Sequence, residues 1–485
     1  MSRKVMVIGL DGLTLERLQP LVQAGELPTF ARLLQSGASG ILTSVTNMTT
    51  GPTWASFATG CSPSLHGVLH DFHHLADSYA LHANRGDDVQ QPAFWETAGA
   101  AGRQVIVLNV PLTYPARPVN GVLVAGIDAP GEFAPQFTHP PGLFGELRRT
   151  MGEYMIDCGL AFYMQNGRLQ AGIEAVRRET EGRTRAAEHL LATREWDLFV
   201  TVYSLPDVWQ HYYWTSPSGS PGATCIADGY RLLDQHLARL LAHLPADGLA
   251  ILCSDHGFGP LLGTRDLLNG WLAQQGWLHY RPGRAGGVVS RLKAWLMRQM
   301  RRRVSFRRRQ QLLAAFPALR RRIESNLRIG DIDWLRTRIY APVDHLELWV
   351  NLQGRQPAGS VPLAERNAFC EQVQRALLAW REPAQNRPRL HNVTIHPLGE
   401  AAAQNTPHHI PPDLSLAWNP DVVTPGLHPL ISGDHLPEGA LIVAGKSIAH
   451  GALPVHALID VAPLALTALG VAVPDHMQGR APELL

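Results

Sequence analysis

Thr50 is followed by Gly51-Pro52, a turn that opens the short apolar run Trp54–Ala58. A helix start leaves backbone N–H groups unpaired and carries the positive end of the helix dipole, so a phosphate can be held beside that hydroxyl. A threonine hydroxyl is a weak nucleophile and needs a base, a lowered pKa or a metal ion. Two acid–imidazole pairs stand further along the chain. Asp207 and His211 are four residues apart, and Asp255 and His256 are adjacent; Asp11 lies near the N-terminus. With one later histidine, these side chains offer enough oxygen and nitrogen donors for two divalent ions, the makeup of a two-metal phosphoryl-transfer site.

Each of these residues falls where an α/β fold would put it to use. Lys4–Gly9 reads as a buried strand ending at Leu10-Asp11-Gly12, and Leu15, Leu18, Leu21 and Val22 then have helical spacing. Asp11 is thus expected at the carboxyl end of a first strand, the edge where open α/β sheets bind ligands. The Gly40–Val45 strand leads into the Thr50 turn. Further strands are expected at 103–110, Val119–Gly126, Trp196–Tyr203, Gly248–Cys253, His345–Leu352 and Leu441–Ala444, and helices at Arg177–Arg194, Ile226–His243 and Val455–Leu469. Pro206 can start a helix, from which Asp207 and His211 would project on one face. An acid and an imidazole side by side after the 248–253 strand, followed by Gly257, Gly259 and Pro260, are hard to explain by packing. The alternation predicts a mainly parallel sheet sandwiched by helices, with no internal repeat.

Segment 281–330 breaks the rhythm. Val288, Val289, Leu292, Trp295, Leu296 and Met300 have helical spacing, and arginine runs follow at 301–303, 307–309 and 320–322. The chain is nearly neutral, with a formal net charge of +2, yet Arg281 to Arg328 holds fifteen Lys or Arg against Glu324 alone, leaving 28 bases and 40 acids elsewhere. A basic helical insertion or lid fits this pattern; so does a surface for an anionic membrane or another polyanion, and no specific nucleic-acid partner is expected. The expected organisation is a catalytic domain of 1–280 and 331–485, interrupted by 281–330. The 485 residues are 45% hydrophobic, enough for a substantial core. Five scattered cysteines without a C-x-x-C pair, and no apolar stretch of about 20 residues, point to a cytoplasmic protein.

The set and its order resemble the alkaline phosphatase superfamily, most closely the branch of type I phosphodiesterases and nucleotide pyrophosphatases. The resemblance runs through Gly9-Leu10-Asp11-Gly12, Thr50-x-Pro52, Thr59-Gly60, His66-Gly67, Asp207-x-x-x-His211, Ser254-Asp255-His256-Gly257 and Gly433-Asp434-His435. It implies an alkaline-phosphatase-like fold and two divalent ions. One would be held by Asp207, His211 and His435, the other by Asp11, Asp255, His256 and the Thr50 oxygen. Zinc suits three imidazoles and three carboxylates, with manganese as the alternative. Asp434 beside His435 is read either as an acceptor that orients the imidazole or as a loop residue. The implied activity is hydrolysis of a small phosphate ester, mono or di, through a covalent phosphothreonine, with Gly51, Thr53 and Trp54 near the substrate.

Thr53 marks a departure, because nucleotide pyrophosphatases commonly carry asparagine three residues after the nucleophile. Cys61-Ser62-Pro63-Ser64 looks like the start of a sulfatase signature, but Leu65 replaces its arginine and Cys61 follows Thr59-Gly60 instead of preceding it. Cys61 is therefore expected to be structural. The competing functions are a phosphomutase or phosphotransferase on the same scaffold and, less favoured, a membrane-surface or nucleic-acid-binding protein with a degenerate site.

Overall fold

The computed structural model describes residues 3–74, 78–152, 154–216, 218–220, 222–261, 267–281, 332–341, 346–398, 410, 412–419, 421–422 and 430–482. These form two compact units. The first comprises Met1–Asp71, Asn84–Pro260 and Leu430–Leu485; the second comprises Phe72–Ala83 and Leu261–Pro429. Apart from Arg281, the expected basic insertion lies outside the described residues.

A ten-stranded sheet organises the first unit. At its centre are five parallel strands in the order Leu249–Cys253, Val5–Leu10, Leu198–Tyr203, Val105–Leu108 and Gly121–Val124. Val-Met-Val-Ile-Gly-Leu and Leu-Phe-Val-Thr-Val-Tyr are buried at every position, as unbroken apolar runs are when helices cover both faces of a parallel sheet. The sheet continues beyond Leu249–Cys253 through Glu438–Gly445, which runs antiparallel, to Gly37–Thr43, antiparallel in turn and so again aligned with the central strands. Helices Pro28–Ser36, Leu169–Thr193 and Val461–Ala468 pack on these strands.

Strand positions follow the sequence reading closely. The long helix begins earlier than expected, at Leu169, and the expected Val455–Leu469 helix is shorter. There His456-Ala457 pairs with Leu42-Thr43 at the sheet edge, and the Asp460 carboxylate accepts the Ala457 N–H at 2.9 Å. A 3-10 turn spans Leu458–Asp460, and the α-helix starts at Val461.

The second unit has its own core, in which Leu268, Leu272, Ile339, Tyr340, Leu348, Val350, Phe369, Val373 and Leu414 are buried together. A four-stranded antiparallel sheet runs Ile339–Tyr340, Glu347–Val350, Leu414–Trp418, Leu390–Ile395, with helix Arg366–Leu378 on the last strand. The fully buried Asp413 is paired with Arg366 at 2.8 Å and Arg355 at 2.5 Å and accepts the Val350 N–H at 2.6 Å. That neutralises a charge that would otherwise be costly to bury. This separate core divides the catalytic domain expected from sequence into two bodies.

Candidate active site

The register of the central strands fixes the site. Leu10 lies opposite Tyr203, and Gly9 opposite Cys253. Three parallel neighbours therefore end together, and their next residues are Asp11, the Ser204–Asp207 turn and Ser254-Asp255-His256. The crossing is tied by the Asp207 N–H donating to the Asp11 carbonyl at 3.0 Å. Gly12 follows at φ +69°, a left-handed conformation that glycine adopts without strain. Its N–H points at Asp255 Oδ1, 3.4 Å away, and its carbonyl accepts from Gln210 Nε2 at 2.7 Å.

Helix Asp207–Tyr213 places His211 one turn above Asp207, with His211 Nε2 3.3 Å from Asp207 Oδ1. His435 arrives from the far end of the chain. Gly433–Leu436 pairs antiparallel with Gly257–Pro260, setting His435 opposite Phe258. His435 Nε2 is then 3.3 Å from the same Asp207 oxygen and 3.0 Å from His211 Nε2. Beside this triad, His256 Nε2 lies 3.4 Å from Asp11 Oδ1 and 3.5 Å from Asp255 Oδ2. The His256 and His435 rings stack at 3.7 Å, so the two triads adjoin.

The ring nitrogens have a common arrangement. Nδ1 of His211, His256 and His435 faces the carbonyl of Gly433 (3.1 Å), Gly257 (2.9 Å) and Met48 (2.6 Å), respectively. A carbonyl only accepts, so each Nδ1 carries the hydrogen and each neutral ring turns a lone pair on Nε2 inward. Two such lone pairs 3.0 Å apart, beside a buried Asp207 Oδ1 without a hydrogen-bond donor, repel one another unless a cation or proton lies between them. The donor set in each triad thus fits a divalent ion, with imidazoles oriented by their second nitrogen as metal-binding histidines are.

The charges agree. Burial, followed by the charges of Asp255 and Asp207, holds the Asp11 carboxyl well above its ordinary range. Burial also acts to raise Asp207, but His211 and His435 outweigh it and hold that carboxyl well below. Burial would lower His435, yet Asp207 and Asp434 bring it up to about 9. For His256 burial prevails and the pKa is lowered.

Thr50 is the first residue of helix Thr50–Thr59, which ends at Gly60 with φ +64°. Its chain neighbours reach both triads: the Met48 carbonyl accepts from His435, and the Thr53 hydroxyl donates to Asp255 Oδ2 at 2.8 Å. The three positions expected near the substrate are otherwise engaged. Gly51 donates its N–H to Asp71 Oδ1 at 2.6 Å. Thr53 is fully buried beneath Asp255. Trp54 is fully buried too, edge-on to Phe57; its N–H makes no hydrogen bond of ordinary geometry but stands close enough to Asp11 to favour the charged carboxylate. Asp434 accepts the His435 backbone N–H at 2.9 Å. Cys61 is buried, with its thiol directed at the Thr59 and His476 carbonyls, both 3.3 Å away, and burial pushes its pKa up.

Sequence reasoning missed Asp71, Gln210 and Phe258. Gln210 has only its position between Asp207 and His211 to mark it. Phe258, whose ring lies edge-on to His211 at 4.8 Å, could have been read from its place in the Asp-His-Gly-Phe segment. Asp71 sits in no motif singled out from the sequence.

The chain is similar in structure to phosphonoacetate hydrolase from Sinorhizobium meliloti 1021, solved with phosphonoformate, at 17% identity and a TM-score of 0.56, with 96% of each chain covered. The same hydrolase with phosphonoacetate aligns at 16% identity and a TM-score of 0.54, again over 96% of each chain. Human ectonucleotide pyrophosphatase / phosphodiesterase 5 aligns at 14% identity and a TM-score of 0.53, over 98% of this chain and 97% of that one. No curated protein matches. The family model for type I phosphodiesterase / nucleotide pyrophosphatase matches residues 5–393, a span that holds every residue of the two triads except His435. The chain belongs to the type I phosphodiesterase / nucleotide pyrophosphatase family and is a phosphoester hydrolase of that type.

Proposed function

We propose that the chain hydrolyses a small phosphate ester through a covalent phosphothreonine at Thr50, in a site holding two divalent ions. Asp207, His211 and His435 would hold one ion, and Asp11, Asp255, His256 and the Thr50 oxygen the other. When bound, such cations, with zinc favoured by this donor set and manganese the alternative, lower the pKa of a hydroxyl or water and offset charge on the phosphoryl group. The observation that carries the reading is the pairing of two donor triads at one sheet edge with Thr50 between their anchoring contacts.

Thr50 Oγ1 attacks phosphorus in line, its proton passing to solvent. The Oγ1–P bond forms as the ester P–O bond breaks, and the departing alkoxide takes a proton from water. Water then attacks the phosphothreonine from the vacated side, the Oγ1–P bond breaks, and the Thr50 hydroxyl is restored. The carbonyls of Met48, Gly433 and Gly257 hold the three imidazoles in one tautomer throughout, and helix Thr50–Thr59 fixes the nucleophile.

Among the described residues no helix is long and apolar enough to cross a membrane. The five cysteines are free and buried, which supports a reducing compartment such as the cytoplasm. The anionic surface considered for 281–328 falls, apart from Arg281, on residues that are not described.

Thr50→Ala tests the reading. Turnover of a chromogenic phosphate ester without any acceptor alcohol should fall at least about a thousandfold, while elemental analysis still finds close to two metals per chain. Substantial activity in the variant would remove Thr50 as nucleophile, and turnover only with an added acceptor would favour a phosphotransferase.

A further inference from the structure

We propose that Asp71 selects phosphodiesters over phosphomonoesters in this site, an inference that rests on the hydrolase reading above. The start of helix Thr50–Thr59 is poor in free donors. Thr53 N–H already bonds the Thr49 carbonyl at 3.2 Å, and Pro52 has no N–H. That leaves the N–H groups of Thr50 and Gly51 to receive an anionic oxygen beside the nucleophile. Asp71 Oδ1 takes the one on Gly51 at 2.6 Å, a short charge-assisted bond. The protein's own carboxylate thus occupies a place at the helix dipole where a phosphoryl oxygen would otherwise sit.

Its position is built. A side chain at residue 51 would put its Cβ 3.0 Å from Asp71 Oδ1 and 3.2 Å from the His70 carbonyl, a tight fit that glycine relieves. The Asp71 carbonyl accepts the Asn84 N–H at 2.8 Å, and Asn84 Nδ2 donates to the His70 carbonyl at 2.5 Å. Asn47 Nδ2 contacts the Leu69 carbonyl and His70 Nδ1, each at 2.7 Å. Asp71 itself is only half-buried, so a substrate can meet it.

A monoester dianion brings three non-bridging oxygens and two charges to the phosphorus, whereas a diester brings two such oxygens and one charge. Thr50 and the two triads can receive two oxygens. The third oxygen of a monoester meets a carboxylate of like charge where a donor is needed. In a diester that place holds an uncharged alkoxy group.

The test compares kcat/KM for p-nitrophenyl phosphate and bis-p-nitrophenyl phosphate in the full-length, zinc-loaded protein, in Asp71→Asn and in Asp71→Ala. The wild type should favour the diester. Asp71→Asn should raise the monoester-to-diester ratio roughly tenfold or more, since an amide removes the charge and adds a donor. Asp71→Ala, which removes the charge alone, should raise it less. A wild-type preference for the monoester, or an unchanged ratio in both variants, overturns the role of Asp71. A wild type that hydrolyses neither ester overturns the hydrolase reading beneath it, and this result is distinct from a failed ratio shift.

Discussion

Thr53→Val tests whether the buried hydroxyl below Asp255 is part of the proposed metal site. Thr53 Oγ1 has three acceptors in reach, the Thr49 carbonyl at 3.0 Å, the Thr50 carbonyl at 3.3 Å and Asp255 Oδ2 at 2.8 Å, but one hydrogen to give. Distance and charge assign it to the carboxylate. A hydrogen bond to a charged group is worth about 1.5–3 kcal/mol, and losing a partner that orients a metal ligand typically costs about 10–100-fold in metal affinity or activity. Valine keeps the shape and removes the donor, leaving Asp255 with the more distant Gly12 N–H at 3.4 Å. Competition with a chelator should therefore show one of the two ions bound about 10–100-fold more weakly, with kcat falling when metal is limiting and recovering partly in excess zinc. Thr53→Ser should retain most of the affinity. Equal metal affinity in the valine variant and the wild type would mean that the hydrogen goes to the Thr49 carbonyl and that Thr53 is only a helix residue.

Two further outcomes concern stability. His66 is fully buried and accepts the Val68 N–H at Nδ1, so protonation there would set two N–H groups against each other in the interior; burial lowers its pKa to about 4. Because the folded pKa lies below the unfolded value near 6.5, the neutral ring's contribution is complete above pH 6.5 and is lost as the pH falls towards 4. The total loss is about 3 kcal/mol, of which about 2 kcal/mol has gone by pH 5. His66→Gln should flatten that part of the urea-unfolding profile, and a variant with the same acid sensitivity as wild type would show that His66 does not set it. Gly257→Ala should destabilise the protein by about 1–3 kcal/mol in the same measurement and lower metal content. Its Cβ would lie 2.0 Å from the Glu438 carbonyl, a backbone atom that cannot move without shifting the strand after His435. Wild-type stability in that variant would contradict the close approach of these two strands.

The central strands were readable because parallel strands buried on both faces are unbroken apolar runs, and each such run here ends on a charged or turn residue. The positions of Asp11, Asp207, Asp255 and His256 at one edge were legible for the same reason, since each follows a strand of this kind within a few residues, and His211 lies one helical turn beyond Asp207. The division into two units was not. It depends on which apolar residues pack with which, and the strands Glu347–Val350, Leu390–Ile395 and Leu414–Trp418 are short and far apart in the chain. The roles of Gly51, Thr53 and Trp54 were also hidden. Proximity to Thr50 in sequence suggests the substrate, but a helix turns its residues to different sides, and these three face Asp71, Asp255 and the core.

His435 shows a further limit on the rule that ligands lie at the carboxyl ends of strands. That rule finds residues that follow parallel strands. Glu438–Gly445 runs antiparallel to Leu249–Cys253, so the end it brings to the site is its beginning, and a ligand carried by it must precede it. His435 does so by three residues, held there by the pairing of Gly433–Leu436 with Gly257–Pro260 and by the Met48 carbonyl on its Nδ1. The antiparallel strand therefore does two things at once. It lets Gly37–Thr43 run in the same direction as the central strands, so that Thr50 emerges at the same edge, and it delivers a histidine to that edge from the opposite end of the chain. Thr50 follows one strand of this antiparallel pair and His435 precedes the other, which is why a three-residue motif late in the sequence can reach the sheet edge where Asp11 lies.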